Sequence, residues 1–535
     1  MNKRSYFFLI IFLILSSNDI NLINEHIRKR VEDINTGINV YIQGEKLLCE
    51  KLLVEFYSQV FFEPVWTSDK NKREFIGLLA RADEQGLQPE DYHYDLILTI
   101  SEKTKGAEKL AELDMLITDA YLLYVSHLLN GKVNPETIDS EWKAARKEGN
   151  PSQLLQWAIS EKEIKRSIID QEPVHPSYDG LKLALTRYKS IAEKGGWKII
   201  PGGETLKTGM IDSIRVPLII QRLMSIQDLE YVTDDLFTYT EVIASSVKDY
   251  QRRNGLEVDG NLGKMTTESM NIPVEKRIAQ LIVNMERFRW ISHELGDRYI
   301  MVNIADFQLR MYDKQTIVFQ DKVIVGKPFR KTPVFTSQMT YIVLNPYWTV
   351  PPTILYEDVI PEAKKNTAYL SSKKIRVYMG NGSNRKEIDP DSVNWQEMSR
   401  VNFPYILRQD PGPLNALGIV KFMFPNSYNV YIHDTPTKEL FNRTERIFSS
   451  GCIRLNHPMS LVQSLIPEYL DIDMEKIEQL IGKGKEHTIL LTQPLNVHIL
   501  YLTGWVEDDI VHFRKDIYDR DNDVLVALNE SLVSS

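Results

Sequence analysis

At 535 residues the chain is too long for one core, and three or four folded units are expected. A hydrophobic share of 43% and a charged share of 26% exclude a disordered or fibrous protein, and a net charge of -9 argues against nucleic acid as a partner. The two cysteines, Cys49 and Cys452, are too few for a disulfide framework. With no CxxC or HExxH spacing, neither a metal nor a cofactor is expected.

Lys3 and Arg4 precede an apolar run from Tyr6 to Leu15, followed by polar Ser16-Ser17-Asn18-Asp19. This is the layout of a secretory signal over residues 1–20, because the run is well short of the roughly twenty residues that span a bilayer. Left uncleaved, the same segment would be a signal anchor holding the protein at the inner membrane. No later segment is long and apolar enough to span a membrane.

Residues 45–200 read as an all-helical unit. Apolar residues recur at helical spacing from Leu113 to Leu129, ending at Asn130-Gly131, and again from Tyr178 to Ala192, ending at Gly195-Gly196. Cys49 falls here and reads as a small buried residue. A second, smaller helical unit covers 203–272. Its Val247 and Tyr250 share a helix face, Asp259-Gly260 makes a tight turn, and Thr266 is placed to cap the next helix.

From Arg298 the period changes to that of strands. Tyr299–Ile304, Gln308–Tyr312, Lys322–Gly326, Thr340–Leu344, Val420–Phe424 and Asn429–His433 alternate or run apolar, and so do Thr488–Thr492 and Val497–Tyr501. Between 353 and 417 this patterning fades. Ile354–Lys365 looks helical, and Asp389-Pro390, Asn402-Phe403-Pro404 and Asp410-Pro411-Gly412-Pro413 are turn signals. We read 353–417 as a loosely packed, lid-like insertion in a β-rich domain of residues 298–510, with an acidic tail around Asp516–Asp523. The expected fold class is therefore a multi-domain α+β protein.

The chemistry concentrates between Tyr431 and Asn456. His433 sits at a strand end, and Ser449-Ser450-Gly451-Cys452-Ile453-Arg454 follows. Acyl transfer by cysteine needs a thiolate, a base to form it and backbone donors for the oxyanion. Cys452 is the candidate nucleophile and His433 its base. The small residues before the cysteine let the backbone approach a carbonyl, which makes the Gly451 and Cys452 N–H groups candidate oxyanion donors. Ser450 and Asn456 complete the loop, with Asn456 as its brace. Arg454 has two readings, a structural salt bridge or a group facing substrate. Tyr347 and Trp348 read equally as groove lining or core, and Lys421 and Tyr431 alternate with apolar neighbours so that either could enter a cleft. His457, His498 and His512 have no nucleophile near them in sequence and read as surface or packing residues.

His433 followed by Ser449-Ser450-Gly451-Cys452-Ile453-Arg454 resembles the L,D-transpeptidase signature of a His followed by S-x-G-C-[IV]-R. Many members carry His before the glycine, where this chain has Ser450, so no imidazole acts from that position. Asn345-Pro346-Tyr347-Trp348-Thr349-Val350-Pro351, Arg408–Pro413, Asn415–Gly418, Lys421–Asn426 and Asn284-Met285-Glu286-Arg287-Phe288-Arg289-Trp290 are similar to the large YcbB-like branch, with its scaffold domain and YkuD-type catalytic domain. The segment from Val247 to Thr266 resembles a peptidoglycan-binding domain, with Tyr250 where the pattern has Phe.

The resemblance implies a cysteine acyltransferase acting on peptidoglycan tetrapeptide stems as both donor and acceptor. Cys452 would attack the third, diamino-acid residue, expel terminal D-Ala, and pass the acyl group to a neighbouring stem as a 3→3 cross-link. In that family branch the third residue is meso-diaminopimelate, the compartment is a Gram-negative periplasm, and carbapenems acylate the cysteine. In this role Arg454 would face a stem carboxylate. Three other outcomes stay open: an L,D-carboxypeptidase using water, an enzyme anchoring a lipoprotein through the same thioester, and a wall-binding scaffold with weak catalysis.

Overall fold

The computed structural model describes residues 17–103, 106–138, 142–143, 149–229, 235–291, 295–380 and 384–532. The expected signal lies outside these residues as far as residue 16; from Ser17 the chain is helical to Asn35. Among the described residues no helix is long and apolar enough to cross a membrane.

The first unit is built round the helix Ala107–Asn130, buried along nearly its whole length. A helix apolar on all sides must be enclosed, and here Ser17–Asn35, Glu50–Gln59, Tyr94–Lys103 and Pro151–Glu161 surround it. Two buried carboxylates on it tie down loops. Asp114 accepts from the Val65 and Trp66 amides (2.9 and 2.8 Å) and the Tyr57 hydroxyl. Asp119 accepts from the Leu48 and Cys49 amides and stands 2.8 Å from His93 Nε2. Cys49 and Cys452 are both free thiols.

The helix Pro176–Glu193, expected in this first unit, packs elsewhere. Its Tyr178, Leu181, Leu185 and Tyr188 join a second core with the smaller unit's Val216, Ile219, Val247 and Tyr250 and with the hairpin Gly504–Glu507/Ile510–Phe513. Gly180 permits the approach, since a Cβ there would stand 2.5 Å from Val506. In the smaller unit Gln251 organises the Asp-Gly turn. Its amide donates to Asp259 (2.8 Å), Asn261 O and Thr266 Oγ1, and its carbonyl accepts from the Asp259 and Gly260 amides. Thr266 is therefore not the helix cap expected from sequence. The helix Lys264–Met270 starts after Gly263, and Thr266 turns inward to Gln251.

Eight strands close into a barrel in the order Val420–Met423, Ile432–His433, Ile453–Leu455, Thr316–Gly326, Gln308–Asp313, Arg298–Asn303, His487–Leu500 and Val334–Leu344, which pairs back to the first. The two strands expected near 488–501 are one long strand with a shift of register between Leu490 and Leu495. The supposed acidic tail is structural. Asp516 accepts from the Tyr501 hydroxyl (2.5 Å), Asp521 pairs with buried Arg287 (2.6 Å), and Tyr518, Val524 and Leu528 enter the barrel's core.

The insertion is folded rather than loosely packed. Trp348–Thr349, Ile375–Met379, Lys386–Ile388 and Tyr405–Gln409 form a separate four-stranded antiparallel sheet. It has its own core of Leu355, Val359, Leu370, Val377, Trp395 and Leu407, and its sheet begins at Trp348, ahead of the expected start at 353. Strands this short, separated by Asp-Pro and Asn-Phe-Pro turns, leave no period to read.

His93 yields a testable outcome. Its side chain is fully enclosed between Glu45 (2.6 Å) and Asp119 (2.8 Å). Burial alone would lower its pKa, but the two carboxylates outweigh burial and raise it to about 9. A folded pKa above the unfolded one stabilises fully below the unfolded value and loses that contribution as pH rises through the folded one. Wild-type protein should therefore lose about 3 kcal/mol relative to His93→Gln between pH 6.5 and 9. Denaturant melts across that range check this, and a constant difference between the two proteins would refute it.

Candidate active site

The barrel places the candidate residues through two very short strands. Ile432–His433 runs parallel to Ile453–Leu455, with His433 opposite Arg454. On its other side His433 faces Lys421 in the antiparallel strand Val420–Met423. Directly paired residues share a sheet face, so Lys421, His433 and Arg454 form a row across three strands. Cys452 immediately precedes the second strand, whose Ile453 amide donates to Tyr431 O (3.1 Å). This sets the thiol beside Tyr431.

The turn before the cysteine is tightly held. Ser449 Oγ donates to Cys452 O (2.6 Å) and accepts from the Gly451 amide (3.2 Å), while Thr332 Oγ1 donates to Gly451 O (2.9 Å). Gly451 has φ 112°, in the region where side chains are strained. The Gly451 N–H, expected as an oxyanion donor, is thus committed to Ser449. The Ser450 and Cys452 N–H groups have no acceptor among the described residues and are the available pair.

His433 is 5% exposed, and its Nδ1 lies 2.5 Å from Asp434 O. A carbonyl only accepts, so Nδ1 carries the proton and Nε2 keeps its lone pair. Burial first, then the charges of Arg454, Lys421 and Lys438, lower the His433 pKa to about 3, against a smaller upward pull from the Asp434 carbonyl. Burial raises the Cys452 thiol above its ordinary range, while the Tyr431 amide and phenol and the Arg454 charge pull it partly back. The resting pair is therefore neutral thiol and neutral imidazole, and proton transfer must accompany attack. The thiol itself is directed at Asn429 O, 3.8 Å away.

Arg454 reaches Thr437 Oγ1 at 3.4 Å, and its Nε is buried without a partner. Among the described residues no carboxylate pairs with it, so the salt-bridge reading fails. Lys421 is likewise without an ion pair among the described residues. Burial lowers its pKa, and its Nζ stands 5.9 Å from the centre of the Tyr431 ring. Asn456 donates its amide to Lys322 O (3.1 Å) and accepts Lys438 at its carbonyl. Ser450 Oγ accepts from Arg330 Nη1 (2.8 Å).

Tyr347 lies 3.7 Å under the Arg408 guanidinium with its amide on Glu486, and Trp348 packs against the insertion's core. Both sit at the root of the insertion. His457 is held by Asp321, His498 by Leu295 O and Thr336, and His512 is stacked on Trp505. Sequence reasoning missed Thr332 and Arg330, in a loop with no periodic or motif signal, and Asn429, expected to open a strand that in fact starts at Ile432.

The neutral resting pair predicts that alkylation of Cys452 by iodoacetamide rises about tenfold per pH unit from pH 6 to 9. Peptide mapping of the adduct against pH checks this; a plateau below pH 7 would indicate a preformed thiolate.

Three regions of the chain match known protein families. Residues 297–469 match the L,D-transpeptidase catalytic domain, residues 51–185 a scaffold domain, and residues 230–270 the family described as "Putative peptidoglycan binding domain". The chain is 32% identical over 281 residues to a Haemophilus influenzae protein named "Putative L,D-transpeptidase". That alignment covers 51% of this chain and 56% of the relative, little more than half its length. Among solved structures, the L,D-transpeptidase of Xylanimonas cellulosilytica is 12% identical, with 56% of this chain and 99% of that one covered and a TM-score of 0.18. The L,D-transpeptidase of Stackebrandtia nassauensis is 11% identical, with 55% and 94% covered and a TM-score of 0.22. The chain is a multi-domain α+β protein that carries a YkuD-type L,D-transpeptidase catalytic domain together with a scaffold domain and a peptidoglycan-binding domain.

Proposed function

We propose that the protein forms 3→3 cross-links between peptidoglycan stems through a thioester on Cys452. The observation that carries this reading is the pairing of Ile432–His433 with Ile453–Leu455 and with Val420–Met423, which joins a thiol, an imidazole whose Nε2 keeps its lone pair and two cations with no carboxylate partner among the described residues. A row of Lys421 and Arg454 suits a donor that brings its own carboxylates, as a tetrapeptide stem does.

His433 Nε2 takes the Cys452 proton as the sulfur attacks the carbonyl carbon of the third stem residue. The oxyanion meets the Ser450 and Cys452 N–H groups. Collapse breaks the amide bond, and His433 returns the proton to the departing amine of D-Ala. The acceptor's side-chain amine then attacks the thioester, loses a proton to His433 and releases the thiol. The folded insertion next to this loop favours amine over water by limiting solvent access. Such a substrate lies outside the cytoplasmic membrane, which agrees with the signal-like residues 1–20 and a periplasmic location.

Incubating purified protein with disaccharide tetrapeptide, and separating products by mass, tests the reading. Dimers with one D-Ala released and an acyl adduct on Cys452 are expected. Cys452→Ala should abolish both, and His433→Ala should slow turnover by about 10²–10⁴-fold. Dimers formed by Cys452→Ala would overturn the mechanism, and tripeptide alone would make the protein a carboxypeptidase. A carbapenem offers the same oxyanion donors a strained carbonyl, and intact-mass analysis should show one adduct, mapped to Cys452 and not to Cys49.

A further inference from the structure

Arg330 lies in the loop joining the strands Thr316–Gly326 and Val334–Leu344, and its side chain is only 9% exposed. The guanidinium serves two parts of the molecule at once. Nη1 donates to Ser450 Oγ (2.8 Å) and to Asp358 Oδ2 (2.8 Å), and Nη2 donates to Glu357 Oε2 (2.6 Å). Ser450 belongs to the turn that presents Cys452. Glu357 and Asp358 belong to the insertion, in the π-helical turn Leu355–Val359, and Glu357 also receives Arg400 (2.9 Å).

The loop carrying Arg330 is itself immobilised. Gly326 is pressed against it so closely that a Cβ would stand 2.1 Å from Arg330 O. Its Thr332 receives the Gly326 amide and donates to Gly451 O, and its Lys331 donates to Tyr518 O (3.1 Å). Both acids keep substantial exposure, 42% for Glu357 and 50% for Asp358, so these ion pairs can break without unfolding anything. The insertion has its own core, separate from the barrel's. A planar fork with several fixed donors can hold a hydroxyl and two carboxylates in set directions, whereas a lysine presents its donors from a single point without that fixed geometry.

We propose that Arg330 is a positioning residue that latches the insertion to the catalytic loop. Its pairing with Glu357 and Asp358 holds the insertion closed, and its bond to Ser450 Oγ fixes the loop whose N–H groups receive the oxyanion. One side chain thus serves both closure, which excludes water, and the alignment that stabilises acylation. This rests on the reading of Cys452 as the nucleophile.

The test uses the full-length protein with three variants: Glu357→Gln/Asp358→Asn, Ser450→Ala and Arg330→Lys. Each is followed by amide hydrogen exchange over 350–409, by the ratio of tripeptide to dimer from tetrapeptide, and by single-turnover acylation with a carbapenem. The Glu357→Gln/Asp358→Asn protein, altered only on the exposed rim, should exchange faster in the insertion and raise the tripeptide ratio severalfold. Its acylation should stay within about twofold. Ser450→Ala should slow acylation with insertion exchange unchanged, and Arg330→Lys should show both defects. Raising salt from 0.05 to 1 M should shift wild type, but not the double variant, toward tripeptide, because partly exposed ion pairs are screened. Wild-type exchange and product ratio in both the double variant and Arg330→Lys would overturn the latch while leaving the Cys452 chemistry standing. Acylation of Cys452→Ala under the same conditions would instead overturn the chemistry.

Discussion

The site depends on one parallel pairing between strands of two and three residues. Parallel neighbours cannot be joined by a tight hairpin, so the chain leaves His433, makes the turn Lys438–Asn442, pairs Ile447–Ser449 with the strand Thr316–Gly326, and returns at Cys452. Pairing at this register sets the imidazole between Lys421 and Arg454. A slip of one residue would turn His433 toward the opposite face. The cationic row has a chemical consequence, because it disfavours imidazolium in the free enzyme. Together with burial, the larger cause, it keeps the base neutral at rest.

A second constraint holds the domains in place. The helix Val274–Arg289 is a polar joint buried among three units. Glu286 accepts the Val133 amide (2.7 Å) and pairs with Arg289, which donates to Tyr178 OH and Gln85 O in the helical part of the chain. Arg277 reaches Asn254 of the small module (3.0 Å), while Asn284 and Thr503 exchange hydrogen bonds at the barrel. Buried ion pairs of this kind add little net stability over apolar packing, but removing one partner strands the other. Their use at this joint fixes how the scaffold, module and barrel meet. The scaffold even lends an edge strand, Trp142–Lys143, to the barrel.

The insertion joins the barrel through Tyr347 and Trp348 at one root and Arg408 and Gln409 at the other. Because its apolar residues pack on one another, it is a folded body rather than a floppy flap. Ion pairs, rather than hydrophobic area, are what Arg330 contributes at its contact with the insertion. Contacts of that kind are partly exposed, reversible and sensitive to ionic strength.

Much of this was legible in the chain itself. The apolar run at Tyr299–Ile304, the alternation at Gln308–Tyr312 and the helical spacing in Leu113–Leu129 follow from local geometry, since side chains repeat with period 2 along a strand and 3.6 along a helix. The run Ser449–Arg454 after His433 was equally readable, because acyl transfer by a thiol demands small residues and a base in a recognisable order. Contacts between segments distant in sequence were not readable. Nothing in Tyr178–Tyr188 says which hydrophobic face it will meet, and nothing in Ser449 says that its hydroxyl will claim the Gly451 amide. Arg330 lies 120 residues from Ser450, in a loop with no period. Sequence alone determined which residues are candidates for the chemistry and which of the periodic segments form helix or strand, because those depend on neighbours along the chain. Only the tertiary structure decided the protonated nitrogen of His433, the neutral state of the Cys452–His433 pair and the tie between insertion and catalytic loop. Burial, charge proximity and hydrogen-bond direction exist only once distant segments are packed together.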